Sequence, residues 1–401
     1  MIPDKIVKIL KVLVKQNQYL YYVFYKINNI KDNVHIIFEN SVYRHLSKSR
    51  NIYQGENTDN VFKQLNKKLG SRGITWPPQK RHGGYHILYV SIPTDWELHN
   101  IPPDISSLGR ISNFYLKDHI QLNTNLSDVR KEVDGKIINY ISNLHKNDSI
   151  DFIISYLSGS HISKHTIEVI NQLGIPTFSF HLDDVRFFKG YKTGDQYSGP
   201  IDICKKYDLN LTNSIDSLIK YRALGANALF WPPGANPHYF KPLQTSFKYD
   251  VTFCGQFYGQ RQLLINYLRK RGISVNCFGK GWEGGYKTND ELVQIFSESR
   301  INLGFGYVVS SSFQCLKGRD FEIPSCGALY LTSYNKHLSR VYTLGEDIET
   351  YTDFSDCYKK IVILLNDEKR CEEIRKNARN AVLKRHSWSK RVESLISCSA
   401  V

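Results

Sequence analysis

Residues 317–333 read Lys-Gly-Arg-Asp-Phe-Glu-Ile-Pro-Ser-Cys-Gly-Ala-Leu-Tyr-Leu-Thr-Ser. Lys317 and Arg319 lie in a loop that the pattern carries into a short helix over 319–326, with Glu322 in its first turns. Gly327 ends the helix and an apolar strand follows. Cations beside a helix N-terminus make an anion site, because unpaired N–H groups and the helix dipole both favour negative charge. A carboxylate one turn further on does not suit phosphate. It accepts hydrogen bonds from a pair of hydroxyls, such as those of a ribose. Cations for a diphosphate and a carboxylate for a sugar diol read together as a nucleotide-sugar pocket.

Other segments could complete that pocket. Cys254-Gly-Gln-Phe-Tyr-Gly-Gln-Arg261 lies between a strand and a helix; Gly255 and Gly259 let backbone approach a phosphate, and Arg261 stands at the helix start. Phe278-Gly-Lys-Gly-Trp282 follows the next strand, so Gly279 reads either as part of the pocket wall or as an ordinary glycine turn. A polar loop over 307–316, with Ser310, Ser311, Ser312 and Gln314, suits sugar hydroxyls. In the first half, Ser179-Phe-His-Leu-Asp-Asp184 closes a strand. His181 and Asp183 are candidates there for a general base or a charge stabiliser, with Asp183 preferred over Asp184. The chain has no Asp-x-Asp triplet of the kind that holds a divalent cation, so no metal and no other cofactor is expected.

Strand–helix alternation must position these groups. The first half predicts strands at Val34–Phe38, His86–Ile92, Ile150–Leu157, Ile175–Phe180 and Leu209–Thr212, with helices at Thr58–Leu69, Leu126–His145, His161–Leu173 and Ile215–Leu224. Residues 40–57 and 70–85 read as loops. Residues 4–27 read as an amphipathic helix rich in lysine and aromatics. Such a helix either packs on the domain's own sheet or lies on an anionic membrane surface. Trp231-Pro-Pro-Gly-Ala-Asn-Pro-His-Tyr-Phe-Lys-Pro242 blocks helix and sheet interior alike and reads as a linker. The rhythm then restarts with strands at Tyr249–Cys254, Val275–Phe278, Ile301–Phe305, Leu329–Thr332 and Ile348–Tyr351. Helices over 260–271, 290–299, 354–365 and 368–385 separate them. The alternation predicts α/β structure with two Rossmann-like, doubly wound sheets facing across a cleft. Residues 1–240 would form an acceptor-binding domain and 241–385 a nucleotide-sugar-binding domain. Residues 386–401 would be a C-terminal helix and tail packing back through Trp388 towards the first domain.

Composition narrows the partners. A chain of 401 residues is long for one core, and 41% hydrophobic content is that of a folded protein. The net charge of +15 points to acidic partners, although biased base composition in the genome would also enrich lysine. The basic residues are dispersed rather than interleaved with aromatics on one face, which speaks against nucleic acid. The eight cysteines show no zinc spacing and read as buried thiols of a reducing cytoplasm. No secretory signal and no membrane-crossing run is evident, so the expected place is the cytoplasm, including the inner face of its membrane.

The second half resembles the CgeB-type (spore-protein) glycosyltransferases, a branch of the GT-B superfamily near the group-1/family-4 transferases. The resemblance rests on Thr252-Phe-Cys-Gly…Arg261, Phe278-Gly-Lys-Gly-Trp282, Arg300-Ile-Asn-Leu-Gly-Phe-Gly306, Lys317…Gly327, Gly345-Glu-Asp-Ile and His386…Arg391. Asp208-Leu-Asn-Leu-Thr…Tyr221-Arg-Ala-Leu-Gly225 and the linker extend it over roughly residues 150–395. It implies a nucleotide-sugar donor on the C-terminal domain and a glycan, lipid-linked or surface-polymer acceptor on the N-terminal one. It puts Glu322 on the donor ribose and Arg319, with Lys317, on the diphosphate. Related retaining enzymes carry a second glutamate where this chain has Gln314, a departure that bears on the sugar and on stereochemistry. The resulting expectation is a metal-independent glycosyltransferase leaning to retention, with Asp183 or His181 as base should it invert. A non-catalytic protein that binds nucleotide sugar or glycan is the alternative.

Overall fold

The computed structural model describes residues 17–50, 57–119 and 126–399. The described residues open with a long helix, α1 (Gln18–Ser49), then α2 (Thr58–Gly70), β1 (Tyr85–Ser91), α3 (Asp95–Ile105), β2 (Gly109–Tyr115), α4 (Leu126–Asn147) and β3 (Phe152–Tyr156). There follow α5 (Lys164–Gln172), β4 (Thr177–His181), the short α6 (Asp184–Phe187), the hairpin β5 (Lys192–Thr193) and β6 (Gln196–Tyr197), β7 (Leu209–Thr212), α7 (Ile215–Ala223) and β8 (Ala228–Phe230). Beyond the linker come β9 (Tyr249–Cys254), α8 (Arg261–Arg269), β10 (Val275–Phe278), α9 (Asn289–Ser297), β11 (Ser299–Gly304), α10 (Arg319–Ser325), β12 (Tyr330–Ser333) and β13 (Glu349–Tyr351). The chain closes with α11 (Phe354–Asn366), α12 (Glu368–Ala381) and α13 (Trp388–Ile396).

Two all-parallel sheets result, ordered β2-β1-β3-β4-β7-β8 and β10-β9-β11-β12-β13. Strands covered on both faces must be apolar throughout, and Ile87, Leu88, Tyr89 and Val90 of β1 are all buried. Helices bury one stripe each; α2 does so through Val61, Phe62, Leu65 and Leu69. In both sheets the second strand lies on one side of the first and the third on the other. The chain therefore reverses its winding between β1 and β3, and again between β9 and β11. Loops diverge at such a point and leave a crevice beyond the strands' carboxyl ends.

The structure corrects several sequence expectations. Val34–Phe38 is not a strand but the middle of α1, which also takes in residues 40–49. Its β-branched run looks like a strand, yet Ile36 alone of the five turns inward at helical spacing. Of the segment 4–27, residues 4–16 lie outside the described residues, and the rest is the N-cap Asn17 and the start of α1. The sequence reading missed α3, because Pro102 and Pro103 stand inside it. It also missed β2, only partly buried, and β8, three residues long.

The last helix joins the first sheet although it follows the second in sequence. Trp388, Val392 and Leu395 of α13 share one apolar core with Trp76, Phe178, Phe180 and Trp231. The Trp231 Nε1–H donates to the Arg391 carbonyl at 3.1 Å, and Arg391 Nε donates to the carbonyls of Pro232 and Pro233, so the linker is held on both sides. Between Ala381 and Ser387 the chain forms a π turn that sets this approach. Truncating Trp388 should leave a large cavity. Trp388→Ala is expected to cost about 3–5 kcal/mol in a denaturant titration, and a loss below about 1 kcal/mol would contradict this docking.

Candidate active site

A cavity of ≈ 540 Å³ opens at the winding reversal of the second sheet. Phe253, Cys254 and Gly255 at the end of β9 and Leu303, Gly304 and Phe305 at the end of β11 line it, with Lys317, Gly318, Arg319 and Glu322 from the start of α10. Trp96, Leu182 and Asp183 of the first half close the opposite wall. The strands thus bring Gly255, Arg261, Lys317, Arg319 and Glu322 to one place, 67 residues apart in sequence at the extremes. Asp183 joins them from across the cleft.

Glu322 is buried, the other charges are half-buried, and most are paired. Lys317 Nζ donates to Asp183 Oδ1 at 2.5 Å, an ion pair between the two halves. Burial alone would raise the Asp183 carboxyl, but Lys317 and the Cys315 thiol outweigh it and hold it below the usual range. Burial would conversely lower Lys317, and Asp183 more than reverses that. Arg319 donates to Glu322 Oε2, and burial pulls its guanidinium below the ordinary value. Arg261 has no carboxylate partner among the described residues. It donates to the Gln256 carbonyl at 2.7 Å and the Tyr258 hydroxyl at 2.8 Å. Its guanidinium carbon lies 3.8 Å from the centre of the Tyr258 ring. Three cations therefore face two carboxylates around one cavity, which leaves an excess of positive charge.

Two expectations change in detail. Glu322 is not an open carboxylate: it is 1% exposed. Its Oε1 accepts from Asn100 Nδ2 at 3.0 Å and its Oε2 from Arg319. Hydroxyls reaching Glu322 must take over these bonds, and doing so releases Arg319 at the same moment. Nor are most amides of the first turn of α10 free donors to the cavity. Those of Asp320, Phe321 and Glu322 close onto the Lys317 and Gly318 carbonyls, and the Asp320 carboxylate takes the Lys317 N–H at 2.7 Å. Seven residues make too short a helix to offer more, so the side-chain cations supply the field.

Gly279, Gly259 and Gln314 stand behind the cavity rather than in its lining. A Cβ on Gly279 (φ +124°) would lie 2.2 Å from the Gly255 carbonyl oxygen, so Gly279 lets the neighbouring turn back Gly255 closely. Gln314 Nε2 donates to the Tyr334 carbonyl at 2.8 Å and its Oε1 accepts from Ser333 at 3.0 Å. The loop 307–316 is not loose either. Asn29, Asp32 and Asn33 of α1 bond Ser310 and Ser312, and the Tyr21 hydroxyl donates to the Gly259 carbonyl at 2.7 Å. Nothing in the sequence linked α1 to these distant loops; the asparagines spaced along one helical face were the available signal.

A second cavity, ≈ 680 Å³, opens at the winding reversal of the first sheet. Ile92 beyond β1, Tyr156, Leu157 and Ser158 at β3, Glu97 and His181 line it. Trp96 and Leu182 belong to both cavities. Trp96 is braced by Tyr156 and Trp388, whose ring centres lie 6.1 and 6.4 Å away. His181 is buried, its Nε2 has no hydrogen-bond partner among the described residues, and burial lowers its pKa to about 3. It is therefore neutral at physiological pH and too weakly basic to abstract a proton from a hydroxyl; a neutral ring can still donate to or accept from one. Asp184 also lines this cavity, but its carboxylate is occupied by the protein's own donors. Its carboxylate accepts from Ser217, Tyr221 and Thr212, and burial raises its pKa to about 6.

Comparison with known proteins agrees with this architecture. Residues 260–397 match a family model described as glycosyl transferase-like. No curated protein sequence matches the chain. Among solved structures, sucrose-phosphate synthase from Thermosynechococcus elongatus superposes with a TM-score of 0.54 at 12% identity, over 78% of this chain and 96% of that one. HepE from Anabaena, in complex with UDP and glucose, gives 0.53 at 12% identity over 78% and 99%. A glycosyltransferase from Rickettsia africae gives 0.51 at 11% identity over 79% and 98%. The superpositions show the GT-B fold of two Rossmann-like domains, and the match to the glycosyl transferase-like family lies in the chain's second half. Among the described residues, no helix is long and apolar enough to cross a membrane.

His181 has a readable signature in stability. From its ordinary value of 6.5 downward the unfolded chain binds a proton that the folded one refuses until about pH 3. The stability advantage of the wild type over His181→Asn should shrink by about 1.4 kcal/mol per pH unit below about 6.5. Urea titrations between pH 7 and 5 (roughly this window) check it; parallel curves for the two proteins would contradict it.

Proposed function

We propose that the protein transfers a sugar from a nucleoside-diphosphate sugar, held in the cavity at β9 and β11, to a hydroxyl of a glycan or lipid-linked acceptor held in the cavity at β1 and β3. The observation that carries this reading is the pair of cavities, each at the winding reversal of its own sheet, sharing Trp96 and Leu182 as a common wall. Two substrates in these cavities would meet there. A fold neighbour with UDP and glucose bound, HepE, supports a uridine nucleotide as the first donor to test. Kinship with CgeB-type enzymes rests on the motif residues of the second half.

Arg261, Lys317 and Arg319 would neutralise the departing diphosphate, the main electrostatic demand of glycosyl transfer. Glu322 would take the ribose hydroxyls once Asn100 and Arg319 yield, and Asp183 would hold Lys317 in place. The cavity brings its own cations, which supports a reaction without a metal. Neither His181, with its depressed pKa, nor Asp183, paired with Lys317, is a good base. That supports retention, in which the leaving phosphate oxygen can receive the acceptor's proton.

A thermal-shift panel of nucleoside diphosphates and their sugars identifies the donor, since a ligand that binds only the native state raises the melting temperature. With that donor, Arg319→Ala should lower kcat by about 10²–10³-fold with the fold intact, and activity should survive chelation of divalent cations. Near-normal turnover would remove Arg319 from the reaction. Glu322→Gln should raise the donor KM by about tenfold and change kcat less. Donor binding without any transfer or hydrolysis would favour the non-catalytic alternative.

A further inference from the structure

The helix α1 is amphipathic in the inverted sense. Its polar side faces the protein. There Asp32 pairs with Arg186 at 3.1 Å, Glu39 pairs with Lys220, and Tyr21 and Asn29 bond the loops beside the smaller cavity. Its apolar side faces outward. Leu20, Val23, Ile27, Ile30, Val34 and Ile37 recur at alternating three- and four-residue steps, and all are exposed, Ile27, Ile30 and Val34 by 61%, 63% and 60%. Phe24 and Phe38 widen the stripe. A continuous apolar face of this length on a folded protein marks something that covers it.

Charge decides what covers it. Lys26, Lys31, Arg44 and Lys48 are exposed along α1, and no ion pair holds any of them among the described residues. Both acids of the helix, Asp32 and Glu39, are turned inward and paired. Tyr19 and Tyr22 add aromatic groups that sit well at a membrane–water boundary. A second copy packed in parallel register would set Lys26 against Lys31 of its partner, with no acid to receive either. An anionic surface satisfies both the apolar stripe and the flanking cations.

We propose that the outer face of α1 lies in the interface of a membrane carrying anionic phospholipid. The site differs from the amphipathic segment expected over 4–27, since it runs along the exposed stripe from Leu20 to Ile37. It does not depend on the catalytic reading. It does bear on that reading's acceptor, because Arg186, bonded to Asp32 of α1, also lines the larger cavity. The helix that meets lipid is thus fastened to the rim of that cavity.

Co-sedimentation of the full chain with phosphatidylcholine vesicles, with and without phosphatidylglycerol, tests this. The wild type should bind the mixed vesicles and leave the neutral ones largely unbound. The variant Ile27→Gln/Ile30→Gln/Val34→Gln/Ile37→Gln should partition on the order of a hundredfold less, with an unchanged melting temperature. Lys26→Glu/Lys31→Glu should lose the preference for anionic vesicles. Wild type that ignores mixed vesicles, or a quadruple variant that binds like wild type, overturns the proposal. So does a wild-type dimer that the four substitutions convert to monomer without any vesicle binding. A large fall in the variant's melting temperature overturns it too, because the face would then be covered by the protein's own chain.

Discussion

Cations partly withdrawn from water where two sheets meet are the constraint on which this structure turns. Lys317, Arg319 and Arg261 surround one cavity, and burial penalises each charge unless something opposite lies near. Lys317 finds Asp183 on the other sheet and Arg319 finds Glu322 one turn along its helix. Arg261 makes do with a carbonyl, a hydroxyl and a ring face. On the proposed reading a diphosphate would engage all three at once. In the same reading the Arg319–Glu322 pair would act as a closed latch, opened by a ligand that offers hydroxyls to one and phosphate to the other.

The remainder of the fold keeps those groups registered. Both sheets wind alike, so each leaves a crevice at the same topological position, and the two crevices share a wall at Trp96. Elements from both ends of the chain brace that arrangement. The helix α13 returns from the second half to complete the core of the first. From the other end, α1 bonds Arg186 and Lys220 of the first half and the loops at Gly259 and Ser310 of the second. Asn100 links α3, the linker and Glu322 in one chain of hydrogen bonds, since its Oδ1 accepts from the Asn236 N–H at 2.7 Å. The inverted amphipathicity of α1 fits this service, because a helix that clasps polar loops must place its apolar residues elsewhere.

Much of this was legible in residue order. The strands Tyr249–Cys254 and Val275–Phe278 were read to the residue, because buried parallel strands are short apolar runs closed by glycine. The grouping of Arg261 with Lys317, Arg319 and Glu322 followed from strand–loop–helix punctuation. What escaped depended on three-dimensional neighbours. Strand order, and hence the winding reversals that create both cavities, is not written in any local pattern. The inward turn of Glu322 depends on Asn100, more than two hundred residues away. Residues 34–38 misled because β-branched residues favour strands unless a long helix with polar contacts overrides them.

The most direct test is a structure of the protein with a bound nucleoside diphosphate. The account predicts the phosphates among Lys317, Arg319 and Arg261, the ribose hydroxyls on the Glu322 carboxylate, and the Arg319–Glu322 contact opened. A nucleotide lodged elsewhere, or one bound while Arg319 still rests on Glu322, would contradict it.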